Sequence, residues 1–294
     1  MVDRAAIDAR LRRHVDTLAG LIGPRHLGDP ASVAATLGYC RQQLGEIGVI
    51  ASHETYDALG EVATNLVMVQ RGTDQADQIV LLGAHYDTVK QTPGADDNAS
   101  AVAVLLEVLR LLKGCEHRRT ARFVLFACEE PPYFHLDSMG SQHHARQSRL
   151  RGDKIVGMLC LESVGYFRQT PGSQRRPPGV PSAISWALLS RGNFLAAVGN
   201  LSSKRLCWQF RRGFRSASAL PLRSLCLPER INAIRLSDNS SFWDQGYPAL
   251  MITDTAFLRN PNYHRPTDTP ATLDYGAMVE VTLGVAAAMR RLLR

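Results

Sequence analysis

The chain has 294 residues, 45% of them hydrophobic, which suits one folded domain with a sizeable core and excludes a disordered or fibrous polypeptide. Its formal net charge of +7 is unevenly placed: Tyr166 to Arg235 carries twelve Lys or Arg against one acid, Glu229, while the rest holds 22 basic against 26 acidic side chains. Such a stretch suits a solvated face or one that attracts an acidic substrate; it has no recognisable nucleic-acid motif, so no nucleic-acid partner is expected.

At the start of the chain Ile7, Leu11, Val15, Leu18 and Leu21 recur at helical spacing between charges, predicting an amphipathic helix rather than a secretory leader. A loop, GPRHLGDP, and a second helix from Ala31 to about Ile47 follow. Val49 to Tyr56 and Ala63 to Gln70 read as an early strand pair, and the apolar run Gln78 to Ala84 as a strand buried on both faces. Asn98 to Lys113 predicts a helix stopped at Gly114, Arg122 to Cys128 a second buried strand, Gly140 to Arg151 a helix, and Ile155 to Leu161 a third buried strand. The Pro/Gly/Arg-rich segment from Gln169 to Pro181 reads as a loop, Pro248 to Thr253 as a fourth buried strand, and Leu273 to the end as a closing helix. Strands alternating with helices imply an α/β fold, a three-layer sandwich around a mostly parallel, mixed sheet. One domain is the economical reading of residues 1–294, with 166–235 as a basic insertion within it. No apolar run approaches ~18 residues, so no membrane span is expected. The cysteines Cys40, Cys115, Cys128, Cys160, Cys207 and Cys226 form no CxxC pair, which argues against a thiolate zinc site and for reduced thiols in the cytoplasm.

In open α/β sheets the functional groups collect at the carboxyl ends of the strands. The first buried strand ends in His85-Tyr86-Asp87, and Gly94-Ala95-Asp96-Asp97-Asn98 then leads into a helix. The second strand runs into Glu129-Glu130, the third ends at Glu162, and Tyr263-His264 follows the fourth. Carboxylates at the ends of buried strands are costly unless cations or partners meet them. Imidazole and carboxylate suit zinc, and a pair of zinc ions needs a shared acid plus further His and acid ligands. His85, Asp96, Glu130, Glu162 and His264 supply that set, leaving Glu129 free to act as a general base.

At these residues the chain resembles the co-catalytic zinc aminopeptidase family that includes bacterial leucyl aminopeptidases and glutamate carboxypeptidase. The motifs that carry the likeness are GAHYDTV, PGADDNASAVAVLLE, FACEEP, LESVGY, SDNSSFWDQGYPALMITDT and YHRPTDTPATLDY, in that order from about residue 10 to the end. The resemblance implies two Zn2+ ions, the zinc-exopeptidase fold, and hydrolysis of a peptide or amino-acid amide. It assigns His85 and Glu162 to one ion, Glu130 and His264 to the other, and Asp96 as the bridge. It gives Glu129 the proton transfer, Asp87 the task of orienting His85, and Tyr263 that of stabilising an oxyanion; it also implies a cis peptide after Asp96. Asn239 in SDNSSFW stands where relatives often have His, and Pro131 to Ser141 is a longer loop that suits a pocket wall. His135, His143 and His144 near that loop are weaker ligand candidates, because five ligands complete the set. Two rival readings share the scaffold: a glutaminyl cyclase-like transferase, and a non-catalytic binding protein. The basic segment favours a carboxylate-bearing substrate, with Arg168, Arg211 and Arg212 as candidate clamps.

Overall fold

A computed structural model describes residues 2–177 and 190–294. Residues 178–181 of the expected loop lie outside that range; residues 169–177 carry no helix or strand.

Chain order gives α1 (Arg4–Val15), α2 (Pro30–Ile47), β1 (Ser52–Ala58), β2 (Glu61–Gln70), β3 (Gln75–His85), α3 (Ala101–Leu112), β4 (Arg119–Phe126), α4 (Gly140–Leu150) and β5 (Lys154–Glu162). Then come β6 (Leu195–Asn200), α5 (Lys204–Phe214), β7 (Leu222–Leu227), α6 (Asn239–Asp244), β8 (Ala249–Thr253) and α7 (Tyr275–Leu292). Short polar side chains start several helices: Asp3, Asp29 and Asp274 each accept a backbone N–H of the first turn. The helix α2 ends where Gly48 takes a left-handed conformation.

Among the described residues, eight strands form one sheet in the order β1-β2-β4-β3-β5-β8-β6-β7. The central strands β4, β3, β5 and β8 are parallel, so their carboxyl ends lie side by side. The pairs β1–β2, β2–β4 and β6–β8 are antiparallel. Continuous apolar runs mark the four parallel strands, because both of their faces are covered. A large core on one face joins α1, α3 and α7 to the sheet through side chains such as Leu11, Leu105, Val285 and Leu82. A smaller core under α4 and α6 contains Phe126, Ala145, Phe242 and Met158. These two cores make the three layers.

The expected elements all appear, with shifted ends. The first strand begins at Ser52 rather than Val49, and regular α-helix begins at Ala101 rather than Asn98 because residues Asp97 and Asn98 have non-helical backbone angles. The basic segment holds more structure than its composition suggests, since β6, α5 and β7 extend the same sheet beyond β8. Among the described residues, no helix is long and apolar enough to cross a membrane.

Candidate metal centre

Three strand ends and two loops converge above the centre of the sheet. His85 is the last residue of β3, and Glu162 the last of β5. Glu129 and Glu130 follow β4, Asp97 lies in the turn before α3, and His264 in the loop after β8. His85 Nε2 lies 3.3 Å from Asp97 Oδ1, 3.2 Å from Glu162 Oε2 and 3.8 Å from Glu129 Oε2. On the other side, His264 Nε2 lies 3.1 Å from Asp97 Oδ2 and 3.3 Å from Glu130 Oε2. Asp97 therefore turns one carboxylate oxygen to each imidazole. The groups His85–Asp97–Glu162 and Asp97–Glu130–His264 each gather their donor atoms closely enough to share one ion.

The bridging position was expected at Asp96, but the carboxylate that faces both imidazoles is that of Asp97. The carboxylate of Asp96 faces away: its Oδ1 accepts the Gly165 N–H at 2.9 Å and its Oδ2 the Asn260 side-chain amide at 2.8 Å. Both partners are far away in sequence, so two adjacent aspartates could not be told apart before the chain was folded. The cis peptide likewise joins Asp97 to Asn98, one residue later than expected.

A second ring of bonds holds these side chains. Asp87 accepts the backbone N–H groups of Glu129 and Glu130, each at 3.1 Å, one on each carboxylate oxygen. Nδ1 of His85 sits 3.2 Å from the Asp87 carbonyl and 3.4 Å from its carboxylate, which favours a proton on Nδ1 and leaves Nε2 as the inward lone pair. Glu162 accepts Ser163 Oγ at 3.2 Å and Ser237 Oγ at 2.7 Å. Three residues not singled out in the sequence complete the frame. Asp268 accepts the N–H groups of Asp96 and Asp97 at 3.1 and 3.2 Å. Asn98 accepts the Ser163 N–H at 3.0 Å and donates to the Leu161 carbonyl at 3.1 Å. Arg25, 1% exposed, donates to the carbonyls of Leu18, Gly23, Tyr86, Pro93 and Gly94 at 2.7–2.9 Å. Asp268 and Asn98 lie inside motifs already noted, whereas Arg25 sits in an unremarkable loop and gave no signal.

The electrostatics are those of a cation site. Asp97, Glu129, Glu130 and Glu162 are buried around the buried imidazole of His85 and the half-buried one of His264. Without a counter-charge, burial and neighbouring acids push the Glu130 carboxyl up to about 8 and Glu129 well above the carboxylate range. Against their own burial, the acids draw His264 up to about 10 and His85 well above the usual imidazole value. The inward atoms His85 Nε2, Asp97 Oδ1, Glu130 Oε1 and His264 Nε2 are buried and have no hydrogen-bond partner. Buried polar atoms are rarely left so. Two divalent cations would satisfy these atoms and balance the charge of four carboxylates, so the donor set fits zinc.

Tyr263 stacks on the His264 ring, with centroids 3.9 Å apart. Burial and the nearby acids Asp97, Glu130 and Glu162 raise its phenol far above the ordinary value, so its hydroxyl stays a donor. Asn239 donates to the Ile234 carbonyl at 3.0 Å. His144 bonds Glu54 at 2.8 Å, His143 stacks on Tyr56, and His135 lies against Phe134, so none of the three reaches the cluster. A cavity of about 490 Å³ opens beside the centre, lined at one end by Glu129, Glu130, Glu162 and Tyr263 and walled in part by Pro131 and Phe134.

A three-layer α/β fold with a His- and carboxylate-lined cluster at the ends of its parallel strands defines a metallohydrolase of the zinc-exopeptidase class. Residues 65–289 match Peptidase family M28, and the chain belongs to that family. It is 35% identical over 290 residues to Uncharacterized protein YfbL of Escherichia coli (strain K12), covering 96% of this chain and 87% of that one. It is 26% identical over 221 residues to a probable leucine aminopeptidase 1 of Trichophyton verrucosum, covering 69% of this chain and 51% of that one. The chain thus spans about half the length of the fungal leucine aminopeptidases it matches. Among solved structures, the fold is shared with BSAP, a zinc aminopeptidase from Bacillus subtilis (TM-score 0.75, 14% identity, 98% and 95% of the two chains). It is shared too with a glutaminyl cyclase from Porphyromonas gingivalis (TM-score 0.68, 20% identity, 97% of each chain).

Proposed function

We propose that this chain is a zinc-dependent aminopeptidase: His85 and Glu162 would hold one zinc ion, Glu130 and His264 a second, and Asp97 would serve both. The observation that carries this reading is the convergence of buried, unpartnered donor atoms on both sides of one carboxylate. Membership of the M28 family and the aminopeptidases among the relatives support the reaction class. Bound zinc would supply Lewis acidity for the carbonyl and lower the pKa of an attacking water towards about 7.

The remaining steps fall to side chains. Glu129 lines the cavity and is not needed to complete either three-residue group built on Asp97, which leaves its carboxylate to accept the water's proton and return it to the leaving amine. Its backbone is fixed by Asp87, so the carboxylate is aimed before substrate arrives. The Tyr263 hydroxyl, kept protonated, can donate to the developing oxyanion. Six free cysteines fit a reducing compartment, and we assign the protein to the cytoplasm on that ground.

Metal analysis together with a peptide screen tests the reading. Two zinc ions per chain and cleavage of free-amino but not N-acetylated peptides are expected. One zinc per chain with cyclisation of N-terminal glutamine would replace it by the cyclase reading.

A further inference from the structure

The far side of the same cavity carries the opposite charge. In the sheet, Glu162 of β5 pairs with Thr253 of β8, Thr253 with Ala196 of β6, and Ala196 with Arg223 of β7. Residues paired in register project from the same face, so these four line one row of the cavity floor, and all four are among its lining residues. Three interstrand spacings separate the ends of the row, about 14 Å between Glu162 and Arg223. The neighbouring row on that face, Met251, Val198 and Leu225, is apolar.

The arginine end is built and unneutralised. The Nε of Arg223 is buried with no acceptor among the described residues. Arg211 in the last turn of α5 and Arg215 at its C-cap, both exposed, also line the cavity. None of the three has an acidic partner among the described residues, and positions 178–189 contain no Asp or Glu. Among the described residues, the acids lining the cavity are Glu129, Glu130 and Glu162 at the opposite end. Two of the arginines proposed from the sequence point elsewhere: Arg168 packs on Tyr166 and bonds the Thr272 carbonyl, and Arg212 packs on Trp208.

We propose that Arg223 forms a carboxylate-binding subsite that selects short peptides bearing a negative charge about three or four residues from the hydrolysed end. This rests on the aminopeptidase reading for which end is cleaved. An extended chain advances about 3.3–3.6 Å per residue, so three or four residues span the row once the reach of an arginine is included. The apolar row meets the peptide's middle side chains, and a guanidinium fork takes the carboxylate, with geometry that a lysine would not reproduce. The charge can come from the peptide's own C-terminus or from an acidic side chain.

The test compares Leu-Ala-Ala, its C-terminal amide, and Leu-Ala-Glu amide, with zinc-loaded wild-type, Arg223→Gln and Arg223→Lys proteins. Hydrolysis is read as kcat/KM, and binding by calorimetry on the zinc-loaded Glu129→Gln protein with and without Arg223→Gln. Wild type is expected to favour the free acid over the neutral amide by at least tenfold, mainly through KM. Arg223→Gln should erase that preference by lowering kcat/KM for the free acid at least tenfold towards that of the amide, and Arg223→Lys should restore it only in part. Recovery of the preference by Leu-Ala-Glu amide would show that a side-chain carboxylate serves as well; its failure to do so would assign the subsite to the C-terminus. Equal handling of acid and amide by the wild type overturns the subsite while peptidase activity stands. Acid-selective binding without hydrolysis keeps the subsite and overturns the peptidase reading. Absence of binding to every probe at millimolar concentration overturns the subsite.

Discussion

Each oxygen of the Asp87 carboxylate accepts one backbone N–H, from Glu129 and from Glu130, and the same residue faces Nδ1 of His85. A single side chain so fixes both the proposed proton carrier and two ligand residues. The division of labour between neighbours that follows can be tested one residue at a time. Glu129→Gln is expected to keep its zinc and lose about 10²–10⁴-fold in kcat, the span typical of a general acid-base group, as read by metal analysis beside steady-state kinetics. Unchanged turnover would remove Glu129 from the mechanism. Asp97→Asn should lower bound zinc as well as rate, whereas Asp96→Asn, which keeps an oxygen for the Gly165 N–H, should retain its metal. Equal zinc loss in both variants would contradict the geometry. His85, Glu130, Glu162 and His264 were legible in the sequence because each is a polar residue closing or following an apolar strand, where burial is hard to explain without a cation. The choice between Asp96 and Asp97 was not, since it depends on Asn260 and Gly165 arriving from other parts of the chain.

The turn between β3 and α3 is the element that presents Asp97, and much of its shape is imposed from outside. Arg25 ties down its start through the carbonyls of Tyr86, Pro93 and Gly94, and Asp268 holds the N–H groups at its end. Gly94 sits at φ +61°, and a Cβ there would overlap the Asp97 carbonyl and the Thr88 methyl. Gly94→Ala is therefore expected to cost about 1–3 kcal/mol of stability and to weaken zinc binding, since the strain falls on the bridging loop. Urea denaturation and competition with a chelator measure the two effects, and an unaltered zinc affinity would show that the loop can relax without moving Asp97. The boundaries of this element were misread because the chain enters Asp97 and Asn98 with non-helical angles before the helix proper begins. The pattern of apolar residues beyond Asn98 is strong enough to suggest an earlier start.

On the scale of the whole molecule, α1, α3 and α7 cover one face of the sheet, and a buried charge sits where the first two meet. Glu107 of α3 is fully buried and accepts both its Arg10 bonds at 2.8–2.9 Å, with Arg110 and His14 close by. Burial raises its carboxyl, but the bonds with His14 and Arg10 outweigh this and leave it below the ordinary carboxylate value. A depressed folded-state pKa contributes stability above the unfolded value, about 4.3, that is lost as pH falls below it. Glu107→Ala should thus lower stability at neutral pH by about 2–3 kcal/mol, because it leaves half-buried Arg10 and buried His14 without their carboxylate. The loss should shrink as pH drops below the carboxylate range; a deficit constant down to pH 3 would rule out the ionic origin.

By itself the sequence determined the parallel core of the sheet, the residue types gathered at its strand ends and the family, because apolar runs and the acids and imidazoles that end them are local patterns. Tertiary structure alone decided that Asp97 rather than Asp96 faces both imidazoles, that Arg25 and Asp268 hold its turn, and that the basic segment adds β6 and β7 to the sheet. Only strand pairing sets Arg223 in line with Glu162. Each of these outcomes depends on hydrogen bonds or registers between residues distant in the chain, and no local periodicity encodes which of those partners will meet.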